Sequence, residues 1–116
     1  MHVVPFSAAP HYEAPGHMQM LMRRLQGMEA GPSDSVWLGL STIEAGGGTT
    51  SGASDLEKFY VCIEGVVEIE ARDGDSTRTT VLAPLDSCRI APNEARRITN
   101  RGERPAKLLL VMPQRR

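Results

Sequence analysis

From Val36 onward, hydrophobic and polar residues alternate in short runs that are separated by glycine, proline and polar turn residues. Such runs predict strands, because successive side chains on a strand point to opposite faces. The pair Asp73-Gly74 predicts a tight hairpin turn, and the glycine-rich segment 46–52 predicts a loop. Strands are predicted over residues 36–43, 58–64, 66–71, 77–82, 87–90, 96–99 and 107–112. Strands this short and this regularly spaced indicate an all-β sandwich or barrel.

The first sixteen residues contain Pro5, Pro10, Pro15 and Gly16 and predict an extended arm. The arm precedes one barrel domain over residues 17–116, which ends in a short basic tail, Arg115-Arg116, predicted to be solvated. Segment 18–28 has two interpretations, because its apolar residues fit either a helical face or the alternation of a strand. Taken by itself, it is predicted to be a helix.

Composition places the chain among ordinary globular domains and narrows its partners. It has 116 residues, 41% hydrophobic and 23% charged, with a net charge of −1. That charge gives no electrostatic basis for binding nucleic acid or an anionic membrane, and no apolar run approaches the roughly 20 residues of a membrane span. Without a signal-peptide pattern at the start, we expect a cytoplasmic protein, in which Cys62 and Cys88 are buried free thiols.

Two segments resemble the sequence motifs of cupins. The first runs from Gly46 to Gly65 and has the spacing of the motif Gly, His-x-His, Glu, Gly. The second is segment 85–100, which retains Asn100. The four positions that carry metal ligands in this family are occupied here by Gly52, Ser54, Lys58 and Arg96.

The resemblance implies an antiparallel jelly-roll β-barrel over residues 36–112 with an extended N-terminal arm, and it favours a strand rather than a helix over residues 18–25. It also implies a homodimer. In that dimer the arm, residues 3–16, is a candidate segment for exchange between subunits, with Phe6 and Tyr12 as its anchors.

The substituted positions argue against a metal ion, so no cofactor is predicted. Cupin metals are held by imidazoles and a carboxylate, whereas charged Lys58 and Arg96 have no free lone pair and repel a cation. A metal held by His11 or His17 folding over the barrel mouth stays open as an alternative.

Strand alternation predicts that Lys58, Tyr60 and Cys62 point into the barrel, with Arg96 facing them. Arginine offers a planar fork for a carboxylate or phosphate, and lysine adds a point charge beside it. The pattern therefore predicts a pocket for a small anionic or carbonyl metabolite. Lys58, Arg96 and Tyr60 are the predicted catalytic residues, and Ser54, Arg89 and Glu57 the predicted substrate-binding residues.

Proton-transfer chemistry of the isomerase, tautomerase or lyase type suits these residues best, and Schiff-base formation by Lys58 is a further possibility. Two other functions stay open: a non-catalytic binding or sensor module, and a metal-dependent dioxygenase with unusual ligands.

A purely structural interpretation is also open. Lys58 could pair with Glu57, Glu68 or Glu70, and Arg96 could pair with Asp86. A slip of one residue in register would instead turn Lys58 to solvent and Glu57 inward.

Overall fold

Nine antiparallel strands form a nearly closed barrel in the computed structural model, which describes residues 1–114. The predicted basic tail, Arg115-Arg116, lies outside the described residues. The strands are β1 (His11–Tyr12), β2 (His17–Gln26), β3 (Val36–Thr49), β4 (Lys58–Glu64), β5 (Val67–Asp73), β6 (Ser76–Leu82), β7 (Ser87–Ile90), β8 (Ala95–Thr99) and β9 (Ala106–Pro113). Two 3-10 turns cover Phe6–Ala8 and Met28–Ala30. The predicted all-β architecture is confirmed.

The strands follow the order β6-β5-β8-β3-β9-β4-β7, with β2 beside β3 and β1 beside β2. The long strand β3 connects the two halves of the barrel. Its first part pairs with β2 and β9, and its end pairs with β8 through Gly48 and Thr99. At Gly48 the backbone φ is +155°, and a Cβ would lie 2.0 Å from the carbonyl oxygen of Ile98. Glycine is therefore required where β3 crosses onto β8.

All seven predicted strands are present, and 58–64 and 87–90 match β4 and β7 at both ends. The predicted hairpin turn is also present, since β5 and β6 pair from Asp73 and Ser76 onward and Gly74 has a φ of +61°. Segment 18–28 is mostly strand β2, because its backbone pairs with β1 and β3. The strand that the resemblance favours over residues 18–25 is therefore confirmed, and the helix predicted from the segment by itself is wrong. A second prediction was also wrong. Segment 46–52 is not entirely a loop, because β3 continues to Thr49.

The core is a cluster of apolar side chains between the two halves of the barrel. Its largest fully buried members are Ile43, Cys62, Val67, Ile90 and Leu108. The two cysteines are free thiols, as predicted, although Cys88 is only half-buried. Within residues 1–114, no helix has the length and apolar character needed to cross a bilayer.

Candidate functional site

A cavity of about 180 Å³ lies against the inner faces of five barrel strands and is bordered by the N-terminal arm. Its lining includes Lys58 and Tyr60 from β4, Arg96 from β8, and further residues from β2, β3 and β9. The structure thus brings together the three residues predicted to be catalytic. The full lining is Tyr12, Glu13, Ala14, His17, Arg24, Trp37, Lys58, Tyr60, Arg96, Leu110 and Met112.

A larger hollow of about 340 Å³ is lined by residues of β5, β6 and β7, including Arg78 and Arg89, and by Glu94 of the turn before β8. Each of these three side chains is exposed or half-exposed. The smaller cavity is the better candidate site because it contains buried ionisable groups, which are costly to fold and are typical of functional sites.

Strand alternation on β4 places Lys58 and Tyr60 in the cavity. Their exposed fractions are only 5% and 3%, whereas Phe59 and Ile63 on the opposite face are each 42% exposed. β4 is paired on both edges, with β7 and β9, so its register is fixed. The predicted inward orientation of Lys58, Tyr60 and Cys62 is confirmed, and the slipped register is not observed.

Arg96 reaches the same cavity from β8 and is held there by three hydrogen bonds. Its Nε donates to the hydroxyl oxygen of Tyr60 at 2.9 Å, and its Nη1 donates to Thr49 Oγ1 and to the Thr50 carbonyl, both at 3.3 Å. Its backbone exchanges two hydrogen bonds with Gly52. Because the Tyr60 oxygen accepts from Arg96, the hydroxyl hydrogen of Tyr60 is free to donate to a ligand.

Among the described residues, no carboxylate neutralises these two cations. In the described part of the chain, neither Lys58 nor Arg96 has a carboxylate oxygen within 4.0 Å. Three of the four acids considered as structural partners are engaged elsewhere. Glu57 pairs with Arg89, and Glu68 pairs with Arg101. Asp86 accepts a hydrogen bond from the backbone of its own turn. The structural ion network is therefore not formed.

Burial and mutual repulsion shift the proton affinities in the cavity. Burial lowers the pKa of Lys58, and the nearby positive charge of Arg96 lowers it further. Burial also raises the pKa of Tyr60, although Arg96 partly opposes that shift. Lys58 is thereby made easier to deprotonate, while Tyr60 stays a neutral hydrogen-bond donor.

The three predicted substrate-binding residues do not line this cavity. Arg89 lies on the outer face of β7 opposite Phe59, and its Nε contacts Glu57 Oε2 at 2.5 Å. Ser54 Oγ is hydrogen-bonded to the backbone of Leu56. A direct role for Ser54, Glu57 or Arg89 in binding remains a prediction that their placement does not support.

Sequence reasoning missed Arg24 and Trp37 as cavity residues, and it considered His17 only as a metal ligand over the barrel mouth. Arg24 could have been found from the strand alternation of 18–24, where it follows Met20 and Met22 on one face. The ambiguity of that segment hid the signal. Nδ1 of His17 donates a hydrogen bond to the Pro15 carbonyl oxygen at 2.8 Å, and burial lowers the pKa of His17.

The cavity does not have the donors that a cupin metal needs. Of its lining residues only His17 and Glu13 could be ligands, and they share the space with three cationic side chains. Among residues 1–114, no three His, Cys, Asp or Glu side chains cluster so as to hold a metal ion.

The N-terminal arm packs on its own barrel. β1 pairs with β2, placing Tyr12 at the cavity, and Phe6 lies under the guanidinium of Arg23 at 4.8 Å. Both predicted anchors therefore make contacts within one chain. Exchange of the arm between two subunits, and the homodimer itself, remain predictions.

Comparison with known proteins gives one extensive sequence relative and many structural neighbours. No family model matches the chain. It is 40% identical over 106 residues to the β-D-galactosidase Rv1717 of Mycobacterium tuberculosis, covering 91% of this chain and 88% of that protein.

Two solved structures illustrate the fold. The polyketide cyclase RemF of Streptomyces resistomycificus has a TM-score of 0.83 at 20% identity, covering 97% of this chain and 79% of that one. An RmlC-like cupin from Shewanella frigidimarina has a TM-score of 0.75 at 14% identity, covering 100% and 93%.

Proposed function

The chain is a cupin of the same family as the mycobacterial protein Rv1717, and we propose that it binds a small organic anion in the barrel cavity. The proposed reaction is proton transfer within that bound anion, without a metal ion. One observation carries the proposal: Lys58 and Arg96 line a single cavity, and no carboxylate of the described residues neutralises either. Buried charges without a partner are costly, so an anion that enters the cavity is stabilised by both cations.

Each of the three residues has a role in this proposal. Arg96 holds a carboxylate of the ligand through Nη2, which takes no part in its three hydrogen bonds to Tyr60, Thr49 and Thr50. Tyr60 donates its hydroxyl hydrogen to a carbonyl or enolate oxygen. Lys58, with its lowered pKa, takes or returns the proton at carbon. Isomerisation, tautomerisation or elimination would each use these steps.

A screen of short carboxylates, phosphate and divalent metals by thermal shift is the first test. We expect carboxylates to raise the melting temperature and metals to leave it unchanged, because a ligand stabilises the state that binds it. Carboxylates that bind should then be incubated in D₂O, where proton transfer at carbon is detected as deuterium incorporation by NMR.

The variant Arg96→Lys tests the role of Arg96 in the proposed reaction. Arg96→Lys keeps the charge but loses the planar fork and the hydrogen bond to Tyr60. We expect it to reduce deuterium incorporation by about a hundredfold or more. Equal incorporation in Arg96→Lys and the wild-type protein would exclude the assigned role of Arg96. Binding without incorporation in the wild-type protein would favour the sensor function.

A second candidate function is hydrolysis of β-galactosides, which the 40% identity to Rv1717 favours. Glycoside hydrolysis ordinarily uses two carboxyl groups that flank the scissile bond, and Glu13 is the one carboxylate lining the described cavity. We therefore expect no release of nitrophenol from nitrophenyl β-D-galactoside. Release that Glu13→Gln lowers by about a hundredfold would replace our proposal with this one.

A further inference from the structure

Arg24 is a third cation at the cavity, and its guanidinium is held in one orientation. It lies 3.5 Å from the ring centroid of Tyr12 and 4.1 Å from that of Trp37. The two rings meet edge to face at 5.8 Å, and Nε of Arg24 donates to Glu29 Oε1 at 3.0 Å. Contact with two aromatic rings and one charged hydrogen bond hold the guanidinium in place.

The same guanidinium has an unused hydrogen-bond donor. Nη1 of Arg24 is buried and has no acceptor among the described residues, and it is the one side-chain nitrogen of residues 1–114 in that condition. Buried donors in folded proteins are nearly always paired, so this one is explained by an acceptor that residues 1–114 do not supply.

The charges around the cavity are also unbalanced. Arg24, Lys58 and Arg96 line it, against the single carboxylate of Glu13, which is exposed. Glu29 contacts Arg24 but is not part of the lining, and its side chain is 48% exposed. The lining thus has an excess of two positive charges, three cations against one carboxylate. An anion with one negative charge would leave one of these uncompensated, whereas an anion with two would match both.

The two arginines are anchored to different parts of the barrel. Arg96 is tied to Tyr60 and Thr49, and Arg24 is held between Tyr12 and Trp37. Two guanidinium groups that are anchored independently suit a ligand that carries an acidic group at each end. A phosphate monoester concentrates its charge at one end and would require the two guanidinium groups to converge.

We propose that Arg24 is the second anion anchor of this cavity and that the ligand is a short dicarboxylate. The proposal rests on the proposed function, because it names the class of anion that the same site takes. The cavity volume of about 180 Å³ corresponds to about six water molecules, which limits the carbon chain between the two carboxylates to a short one.

Succinate and glutarate, compared with butyrate and valerate, test the proposal directly. Each pair has the same number of carbons and differs in one carboxylate. We expect isothermal titration at fixed ionic strength to show that each dicarboxylate binds about tenfold or more tightly than its matched monocarboxylate. In Arg24→Met this ratio should fall to about one. Arg24→Lys, which keeps the charge but not the fork, should give an intermediate ratio and serves where Arg24→Met does not fold.

The outcomes separate this inference from the proposed function. If wild-type protein binds succinate and butyrate equally, or if Arg24→Met and Arg24→Lys both keep the wild-type ratio, the dicarboxylate assignment is wrong and the anion cavity stands. If neither carboxylate binds, the proposed function fails together with it. Tighter binding of methyl phosphate than of succinate would overturn the dicarboxylate in favour of a phosphate ligand.

Discussion

Replacing Lys58 with methionine is expected to raise the thermal stability of the protein and to remove its anion binding at the same time. The Lys58 side chain is 5% exposed, lies beside Arg96, and has no carboxylate within 4.0 Å among the described residues. Methionine has a similar length, fills the same space and carries no charge. We expect a gain on the order of 1 kcal/mol in the free energy of unfolding, or about 4 °C in melting temperature.

The gain should depend on pH in a defined direction. Burial lowers the pKa of Lys58 below its ordinary value of 10.5, so the unfolded chain binds the proton more tightly than the folded chain does. The wild-type free energy of unfolding should therefore rise, relative to that of Lys58→Met, as the pH increases from the lowered pKa to 10.5. Urea unfolding of both proteins from pH 7 to pH 10.5 measures whether their free energies of unfolding become more similar as the pH rises.

Lys107→Met is the matched control, because Lys107 is the other lysine of the chain and lies half-buried on β9. It should change neither the stability nor the pH dependence appreciably. Carboxylate affinity should fall by about thirtyfold or more in Lys58→Met and stay at the wild-type level in the control. If Lys58→Met is less stable than the wild type at pH 7, the charge of Lys58 is compensated in the folded protein and this prediction is wrong.

The elements that the sequence predicted correctly are those that neighbouring residues determine by themselves. The bounds of β4 follow from its alternation and from Gly65, and the β5–β6 hairpin follows from Asp73-Gly74. Alternation also placed Lys58 and Tyr60 inside, because a strand has only two faces. These inferences needed only neighbouring residues, which explains why they were correct.

The parts that failed depend on distant pairing. Segment 18–28 has a pattern compatible with a helix, and only its pairing with β3 makes it a strand, with irregularities in register near Gln19 and Leu25. β3 continues through Gly48 because β8 offers it a partner from fifty residues further along the chain. Arg24 and Tyr12 reach the cavity through these same long-range pairings. The alternation of 18–24 could identify Arg24 as a site residue only once that segment was known to be a strand.

Asn100→Ala is expected to be among the most destabilising substitutions in the chain. Asn100 is 1% exposed, and its Nδ2 donates to the carbonyl oxygens of Ile43 at 3.0 Å and Arg104 at 2.8 Å. Its Oδ1 accepts from the Gly102 amide at 2.9 Å. Alanine leaves these three backbone groups without that partner, at a cost of about 3–5 kcal/mol. That is a large share of the roughly 5–15 kcal/mol that stabilises a typical domain, so chemical denaturation should show a much lower midpoint.

Asn100→Asp separates the hydrogen bonds of Asn100 from its volume. The aspartate keeps an acceptor for the Gly102 amide, but when ionised it turns an oxygen towards the carbonyls of Ile43 and Arg104. Its folded-state pKa should therefore be raised above the ordinary value of about 3.9. The variant should then gain stability, relative to the wild type, as the pH falls through that raised pKa towards about 3.9.

Asn93→Gly is the control for Asn100→Ala, since Asn93 is exposed and has a φ of +69°, which glycine accepts. Equal stability of Asn100→Ala and Asn93→Gly would show that the three hydrogen bonds contribute nothing, and that the Asn100 retained from the cupin motif has no structural role.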